Sequence, residues 1–426
     1  MRIVKTCVLV LFIFLNSEIC SGQIFVNGSA TGANNGSSWK NAFTDLQNAL
    51  SAAEENDQIW IAAGTYYPGQ TDASRSTSFL VNKGVEIYGG FQGTEVNFSE
   101  RNITEHPTIL SGDLNRDDII DDFKVNRTDN VWSVMLVKNK TAHIPIIDGI
   151  NFEGGHANGN DELVEASSGG ALFLFGPASI RNCSFSQNYS NERGGALFLM
   201  DSLAVKKQGL VDGQIDLEIE NCKFNNNFSK DGGAVNFQLK NGKVSSVVIR
   251  NSDFFENTSE DFGGGVNIAS YIEDATVKID SCMFYKNNSF LEAGGVTFEI
   301  FGNGNEVIFQ NSIFDKNSAR LSSGAIHLYF NREGSNNTYK VDNCSFRNNS
   351  TAARPDWDSG GGAIYLVSQG DYNSTIIKNS TFSKNNSIGY GGAIAVRQKK
   401  TGINKHLKIN NCQFIENLAN HGGGIS

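Results

Sequence analysis

An acidic stretch with the sequence DLNRDDIIDD, residues 113–122, holds the side chains best suited to bind a metal ion. Four of its oxygen-bearing residues stand at positions 1, 3, 5 and 9 of a calcium-binding loop: Asp113, Asn115, Asp117 and Asp121. The match is incomplete, because Asp118 replaces the turn glycine and Lys124 replaces the bidentate glutamate of that loop. The stretch therefore predicts either a calcium site or a solvated acidic loop, and we expect no other cofactor.

Glu299, His327 and Tyr329 carry groups capable of acid–base chemistry, and the repeat described below places them on adjacent coils. A polysaccharide lyase needs a base beside a cation or metal, but Arg397 lies two coils from His327. A glycoside hydrolase needs two carboxylates about 5 to 9.5 Å apart, and Glu299 has no obvious partner. These three residues are candidates for catalysis in an enzyme whose other parts the sequence does not reveal.

A short repeat positions these side chains: phenylalanine, two variable residues and asparagine, eight times from Phe185 onward. The phenylalanines are 30 residues apart between Phe254 and Phe284 and 39 apart between Phe185 and Phe224. Each repeat contains a glycine turn such as GGAL or GGAI, and the anchors are Phe152, Phe185, Phe224, Phe254, Phe284, Phe314, Phe346, Phe382 and Phe414. Such a period with glycine-rich turns is typical of a solenoid, in which stacked repeats share one core.

Two strands in each repeat follow from the alternation of apolar and polar residues. The position five residues before each anchor is apolar from Ile180 onward, and so is a position just after each glycine pair, as at Leu197. We therefore expect both strands to face one interior, with the anchor rings stacked about 4.8 Å apart. The repeat asparagines, from Asn188 to Asn417, should lie at turns in left-handed backbone and bond to their neighbours above and below.

The outward side chains of the strand after the glycine pair form the most informative surface of this solenoid. Five of them are candidate ligand contacts: Phe173, Phe198, His327, Tyr329 and Tyr365. Exposed aromatic rings on a rigid sheet suit stacking on sugar rings or contact with a partner protein. The alternative is that long inserts cover the rings, and residues 201–213 are such an insert beside Phe173 and Phe198.

The composition narrows the class of partner. The formal net charge is −10 without a basic cluster, which argues against nucleic acid and anionic membranes, since both require lysine and arginine to neutralise phosphates. Polyanionic substrates are disfavoured for the same reason. The chain has 45 glycines and only 5 prolines, which suits tightly turned strands better than helices.

The first 22 residues are typical of a secretory signal peptide, because Arg2 and Lys5 precede an apolar run that ends in small residues. We expect cleavage before Gln23. No later stretch approaches the roughly 18 apolar residues of a spanning helix. The sequence therefore predicts a secreted, extracellular or bacterial cell-surface (outer membrane) protein whose mature chain lacks a transmembrane segment.

The mature chain divides into two parts. Residues 23–122 should form an N-terminal cap and the first coils, with a capping helix over Trp39–Ala53 that begins after Ser38. Residues 123–426 should form the β-helix repeats, and the last coil is incomplete because it stops after NHGGGIS. An open sheet edge at that end favours self-association.

The spacing of phenylalanine and asparagine, together with the GGA[ILV] turns, resembles the repeats of chlamydial polymorphic outer membrane proteins over roughly Phe152–Ser426. More broadly, the chain resembles pectate-lyase-like proteins. The leading segments GANNGSSWKNAFTDLQNAL and VEIYGGFQGTE resemble those of secreted β-helix proteins from Bacteroidetes-like bacteria. These resemblances imply an all-β, right-handed parallel β-helix solenoid and, from the chlamydial proteins, a surface-exposed adhesin.

Two classes of function remain. The first is a non-enzymatic secreted or surface protein that binds an extracellular polysaccharide or a partner protein through its loops and aromatic face. The second is a polysaccharide lyase or glycoside hydrolase acting on an extracellular glycan, since the same fold often carries such enzymes. Fold analogy alone does not supply an activity, so we expect weak, calcium-independent binding without a product.

Overall fold

The computed structural model describes residues 22–160, 162–201, 216–240, 244–331, 334–352, 360–398 and 403–426. The predicted signal peptide, residues 1–22, lies outside these ranges except for Gly22. Within them, no helix combines the length and the apolar character that crossing a bilayer requires.

The chain winds into an all-β parallel solenoid of about 11 turns with very little helix, as the repeat pattern predicts. A full turn contributes one strand to each of four sheets, here named A to D. Residues 217–239 illustrate one turn: Leu217–Glu220 in sheet A, Lys223–Asn225 in sheet B, Phe228–Asp231 in sheet D and Val235–Leu239 in sheet C. Each strand pairs in parallel with its equivalents in neighbouring turns, so residues at one repeat position form columns along the solenoid.

Within the described residues, the strands divide among the four sheets as follows. Sheet A contains Gln23–Val26, Gln58–Ala62, Glu86–Phe91, Ile146–Asp148, Ala178–Arg181, Leu217–Glu220, Ser246–Arg250, Thr276–Asp280, Glu306–Gln310, Thr338–Asp342, Ser374–Lys378 and His406–Asn410. Sheet B contains Gly64–Tyr66, Thr108–Ser111, Ile150–Glu153, Ser184–Ser186, Lys223–Asn225, Asp253–Phe255, Met283–Tyr285, Ile313–Asp315, Ser345–Arg347, Thr381–Ser383 and Gln413–Ile415. Sheet C contains Phe79–Val81, Met135–Val137, Leu172–Leu174, Leu197–Met200, Val235–Leu239, Val266–Ser270, Val296–Ile300, Ile326–Phe330, Ile364–Ser368 and Ile394–Gln398. Sheet D contains His156–Ala157, Tyr189–Ser190, Phe228–Asp231, Thr258–Phe262, Asn288–Ser289, Ser318–Ala319, Ser350–Thr351, Asn386–Tyr390 and Leu418–His421.

The anchor phenylalanines stack inside the solenoid, as expected. Neighbouring rings from Phe152 to Phe414 lie 4.6 to 5.0 Å apart between centroids, with at most 8° between their planes. The rings from Phe152 to Phe382 are fully buried, and burial of each stabilises the fold by about 1.5 to 3 kcal/mol. Because this ring spacing equals the spacing between hydrogen-bonded strands, stacking and strand pairing favour the same register.

The repeat asparagines form a second internal column, as expected. Asn257 Nδ2 donates to Asn287 Oδ1 at 3.0 Å and to the carbonyl of Phe224 at 2.9 Å. Their backbone differs from the expectation, because the left-handed conformation falls on the residue before each asparagine, as at Glu256 with φ 53° and Lys286 with φ 54°. A buried asparagine has to satisfy every polar atom, so the unusual conformation lies on an exposed neighbour.

The N-terminal cap forms with a helix shorter than the expected Trp39–Ala53. The helix spans Leu46–Ala52. Asp45, not Ser38, accepts the capping hydrogen bond, from the backbone nitrogen of Asn48 at 3.1 Å. A second helix, Val164–Ser167, and a 3₁₀ turn, Phe98–Glu100, complete the described helical segments.

Aromatic packing explains why the helix begins late. The Trp39 ring packs edge to face on Phe25 with 4.7 Å between centroids, and its indole nitrogen donates to the Glu95 carbonyl at 2.9 Å. These contacts hold Trp39 against the first coil. The helix itself caps sheet C, since Gln47 Oε1 accepts a hydrogen bond from the backbone nitrogen of Leu80 at 2.8 Å.

At the other end, the strands His406–Asn410, Gln413–Ile415 and Leu418–His421 pair with the turn before them. After the glycine turn, Ile425 makes a single bridge to Ile394 in sheet C. Self-association through this end stays a prediction.

Candidate functional site

The column predicted to bind ligand lies on the outer face of sheet C, but most of it is buried. The exposed fraction is 0% for Phe173 and Phe198, 4% for His327 and 6% for Tyr365. Tyr329 is partly exposed. The exposure expected for the other four residues is therefore wrong, and their ring faces are not open to a ligand.

Packing within the solenoid accounts for this burial. Thr297, in the same column, donates from its hydroxyl to the Glu292 carbonyl at 3.3 Å. The loop that leads into the strand therefore folds over the column. Phe173 and Phe198 pack edge to face, with 5.0 Å between centroids. The predicted cover, residues 201–213, lies outside the described residues except for Asp201.

The three candidate catalytic residues come together with a fourth, Glu292, which was not predicted from the sequence. His327 Nδ1 lies 2.7 Å from Glu292 Oε2, and the His327 ring centroid is 6.2 Å from that of Tyr329. Glu299 is the register partner of Tyr329 in the preceding turn. The Tyr329 hydroxyl accepts a hydrogen bond from Gln369 Nε2 at 2.6 Å.

The two carboxyl groups of this cluster differ in proton affinity. Burial raises the pKa of Glu299. Burial acts to raise the pKa of Glu292 as well, but the His327 imidazole and a hydrogen bond from Ser322 outweigh it, so this pKa is lowered. Glu292 belongs to the LEAGG turn, and its signal in the sequence is that this turn lies next to the outward column of the following strand.

The acidic stretch brings together only part of the predicted calcium ligands. Carboxylate oxygens of Asp113, Asp117 and Asp129 lie within 4.8 Å of one another, and Asp129 was not among the predicted residues. The backbone nitrogen of Asn115 donates to Asp129 at 2.8 Å. The Asp121 side chain instead contacts two successive turns of the solenoid. A calcium site here stays a prediction, with Asp129 in place of Asp121.

The continuation of the acidic stretch forms one wall of a groove on sheet D. Asp121 Oδ1 accepts hydrogen bonds from Gln187 Nε2 at 2.6 Å and from Asn226 Nδ2 at 3.0 Å, in two successive turns of the solenoid. Phe123 then packs on Tyr189 and Phe228, with 5.8 and 6.1 Å between centroids. The loop therefore lies along the solenoid axis, against two successive turns.

The buried side chain of Arg127 stabilises this wall of the groove. Its side chain is 3% exposed and pairs with the carboxylate of Asp118 at 2.6 Å. It also donates to the carbonyl oxygens of Asp122 at 3.0 Å and Ile119 at 3.3 Å. With these partners the Arg127 guanidinium stabilises the loop and is not available to a ligand.

The floor of the groove is a stack of rings on the outer face of sheet D. His156 and Tyr189 are 4.5 Å apart with 19° between their planes, and Tyr189 and Phe228 are 5.5 Å apart with 3°. The groove has a volume of about 880 Å³, within the range of small-molecule sites. Its lining consists of Asp121, Asp122, Phe123, Lys124, Arg127, Thr128, His156, Asn158, Tyr189, Asn191, Phe228, Glu260 and Phe290.

Neutral polar groups border the rings. Burial lowers the pKa of His156 to about 3, with the charges of Arg75 and Arg127 adding to the effect, so its imidazole is neutral at physiological pH. Burial raises the pKa of Tyr189, whose hydroxyl donates to Asn191 Oδ1 at 2.9 Å. The floor therefore offers ring surfaces, an amide and an uncharged hydroxyl.

Two exposed charges flank this floor. Neither the Lys124 ammonium nor the Glu260 carboxylate has an ion-pair partner among the described residues. Since Arg127 is already paired with Asp118, the remaining lining, with Asp121 and Asp122, is slightly acidic. The arrangement can stack on a flat apolar surface and exchange hydrogen bonds with hydroxyl groups.

This groove was not predicted from the sequence, although one signal was present. The residue directly after the repeat asparagine is aromatic in NYS, at Tyr189, and in NFS, at Phe228. In the later repeats the same position holds threonine, asparagine, serine or leucine. Aligning the outward positions of sheet D would have shown two consecutive rings.

Comparisons with known proteins give one local match to a family model and matches of low TM-score to solved structures. Residues 343–366 match a family model described as the Chlamydia polymorphic membrane protein (Chlamydia_PMP) repeat. No curated protein sequence matches the chain. A solved structure described as a rhamnogalacturonan lyase is 11% identical, with a TM-score of 0.44 over 92% of this chain and 87% of its own. The crystal structure of PfbA, a surface adhesin of Streptococcus pneumoniae, is 12% identical, with a TM-score of 0.39 over 89% of both chains. Similarity at this level carries no conclusion about activity.

Proposed function

We propose that this protein is secreted or displayed at a cell surface and binds carbohydrate, without altering it chemically, in the groove on sheet D. The observation that carries the proposal is the parallel stack of Tyr189 and Phe228, 5.5 Å apart, on the floor of a groove of about 880 Å³. Aromatic side chains combine a large apolar surface with defined geometry. That surface suits the C–H face of a sugar ring.

The polar lining supports the same proposal. Asn158, Asn191 and Thr128 present amide and hydroxyl groups at the groove, and Glu260 presents a carboxylate. A ligand rich in hydroxyl groups can pair with all of these, whereas an apolar ligand would leave them without partners at a cost of about 1 to 3 kcal/mol for each buried group. Each stacked ring contributes about 1 kcal/mol, so we expect weak affinity for one short oligosaccharide.

The proposed location rests on two features of the chain. The first 22 residues have the pattern of a signal peptide, and residues 343–366 match a repeat of membrane proteins. Expression of the full chain in a bacterium, followed by N-terminal sequencing of the exported protein, tests it. We expect Gln23 as the first residue, and a chain that remains in the cytoplasm would contradict the proposal.

Affinity electrophoresis in gels that contain polysaccharide tests the binding function. Neutral glucans, mannans and galactans are compared with pectin and alginate, and we expect retardation in at least one neutral gel. Phe228→Ala should not be retarded: it should migrate in the polysaccharide gel as it does in a gel without polysaccharide. Tyr271→Ala is the matched control, because Tyr271 is 46% exposed and stacks on Phe301 outside the groove. Equal retardation of the wild type and Phe228→Ala would contradict binding in the groove.

A second candidate function, glycoside hydrolysis, is favoured by one specific observation. Both Glu299 and Glu292 interact electrostatically with His327, and their pKa values are shifted in opposite directions, that of Glu299 upward and that of Glu292 downward. Glycoside hydrolases use two carboxyl groups whose surroundings move their pKa values apart, one as the acid and the other as the base or nucleophile. New reducing ends that disappear with Glu299→Gln would support hydrolysis, and their absence across the same polysaccharides would leave binding alone.

A further inference from the structure

The outer column of sheet D changes character along the solenoid. The register partners in this column are, turn by turn, His156, Tyr189, Phe228, Thr258, Asn288 and Ser318. The first three carry rings and the next three carry small polar side chains. The aromatic stack therefore ends at Phe228, inside the groove.

Phe228 is stacked on one face. Tyr189 covers that face at 5.5 Å, and Phe123 approaches with its plane inclined by 43°. On the side of the next turn stands Thr258, whose side chain is too short to cover a phenyl ring. The internal phenylalanines show that a ring in the next turn lies 4.6 to 5.0 Å away, which is a stacking distance for two flat surfaces.

We infer that one sugar ring of the ligand binds over Thr258 and stacks on Phe228 as the next member of the aromatic column. This inference rests on the proposed function and adds the position of the ring that makes the main contact. The bound ring would take the place that a phenylalanine in the next turn would occupy.

The backbone beside Thr258 is irregular. Ser229 pairs with Ser259, but Asp231 pairs with Phe262, so the strand that begins at Thr258 holds one extra residue. Bulges of this kind redirect side chains and are common beside binding sites.

Two groove residues lie at or beyond this bulge. Glu260 is within the bulged strand and exposed, and Phe290, in the following turn, is 51% exposed. The backbone nitrogen of Phe290 donates to the Ser259 carbonyl at 3.0 Å, which places Phe290 on the side of Thr258 away from Phe228. A ring over Thr258 thus meets Phe228 on one side, with Phe290 and a carboxylate nearby.

These surroundings indicate the class of sugar. A pyranose with an unbroken C–H face fits against Phe228, and its hydroxyl groups can donate to Glu260. The carboxylates of Glu260, Asp121 and Asp122 outnumber the exposed ammonium of Lys124 in the same groove, so the lining is net acidic and repels an anionic ring. We therefore assign the position to a neutral hexopyranose rather than a uronic acid.

The inference is tested by a substitution that adds an aromatic ring beside Phe228 and leaves Phe228 itself in place. Thr258→Phe should extend the aromatic stack, fill the position of the sugar and lower the affinity for a neutral hexose oligosaccharide at least tenfold in calorimetric titration. Ser318→Phe, two turns farther along the same column and outside the groove lining, should leave affinity within twofold. Thr258→Val, which keeps the shape of threonine, should also bind within twofold.

The outcomes separate this inference from the proposed function. If Thr258→Phe binds like the wild type while Phe228→Ala does not bind, the groove binds sugar elsewhere and the inference is overturned. If the wild type binds none of the oligosaccharides, the proposed function itself fails. Should Thr258→Phe not fold, Thr258→Leu fills part of the same space and should lower affinity by a smaller factor; unchanged affinity for that variant would overturn the inference.

Discussion

The ring of Phe228 lies parallel to the ring of Tyr189, 5.5 Å away, while the next turn of the solenoid places the short side chain of Thr258 beside it. The same winding that buries a continuous column of phenylalanine inside the protein thus produces a short aromatic column outside. Every turn from Phe152 to Phe414 adds a ring to the internal column, whereas the outer column stops at Phe228 and leaves one face of that ring beside the groove. This difference distinguishes the end of the outer column at Phe228 from the other described turns, and the proposed binding position rests on it.

The internal columns should determine stability. Phe284→Ala should lower the free energy of unfolding by about 3 to 5 kcal/mol, because it leaves a cavity between two stacked rings. Asn287→Ala should cost less, about 1 to 3 kcal/mol, by leaving the Asn257 amide without its acceptor. Phe290→Ala, at an exposed ring in the same turn, is the control and should have almost no effect. Urea unfolding measures all three, and an unchanged midpoint for Phe284→Ala would contradict the role of the internal stack.

Asp231 should make stability depend on pH. Burial, only partly offset by Arg193, raises its pKa from 3.8 to about 7. Because the folded state holds this proton more tightly, its contribution to stability is present below about pH 3.8 and is lost as the pH rises through 7. The free energy of unfolding of wild type relative to Asp231→Asn should therefore fall between pH 4.5 and 7.5. Parallel pH profiles for the two proteins in urea unfolding would show that the pKa of Asp231 is not raised in the folded state.

Glu260 should govern selection against acidic sugars. Glu260→Gln keeps the size and a hydrogen-bond acceptor but removes the charge, so affinity for a uronic acid oligosaccharide should rise relative to that for its neutral counterpart. Glu273→Gln, an exposed carboxylate outside the groove lining, is the matched control. The ratio of the two affinities, measured for each variant by titration, tests the prediction. An unaltered ratio in Glu260→Gln would show that the Glu260 carboxylate does not repel the uronic acid.

Sugar binding should be independent of calcium. The carboxylates grouped at Asp113, Asp117 and Asp129 are separate from the residues that line the groove, and Arg127 and Asp121 already hold the wall by direct contacts. We expect affinity to change less than twofold between excess calcium and excess chelator. A loss of affinity on chelation that Asp129→Asn reproduces would instead show that a bound cation organises the loop.

Much of the fold could be predicted from the sequence, because the spacing of the repeated phenylalanines gives the number of residues in each turn of the solenoid. Phe254 and Phe284 are one turn apart in the chain and in space, so the spacing of anchors also gives the order of strands. The cap was less predictable: a helical pattern of Trp39, Phe43, Leu46 and Leu50 suggested a long helix, but packing of Trp39 on Phe25 overrode it.

The groove could not be predicted in the same way. Its wall depends on contacts such as that of Asp121 with Asn226, 105 residues later in the chain, and no period relates a loop to the turns it covers. The outer face of sheet C was predicted to bind because its aromatic side chains were expected to be exposed, yet the loop before the strand covers Thr297 and its neighbours. Alternation shows which side of a strand a residue occupies, but another segment decides whether that side is exposed.

The most direct test of carbohydrate binding in the groove is calorimetric titration of wild type, Phe228→Ala and Tyr271→Ala with the neutral oligosaccharide that retards the wild type most. We predict weak, saturable binding to wild type and Tyr271→Ala with the same affinity, and at least a tenfold loss in Phe228→Ala without a change in its far-ultraviolet circular dichroism. Equal affinity of wild type and Phe228→Ala would contradict carbohydrate binding in the groove.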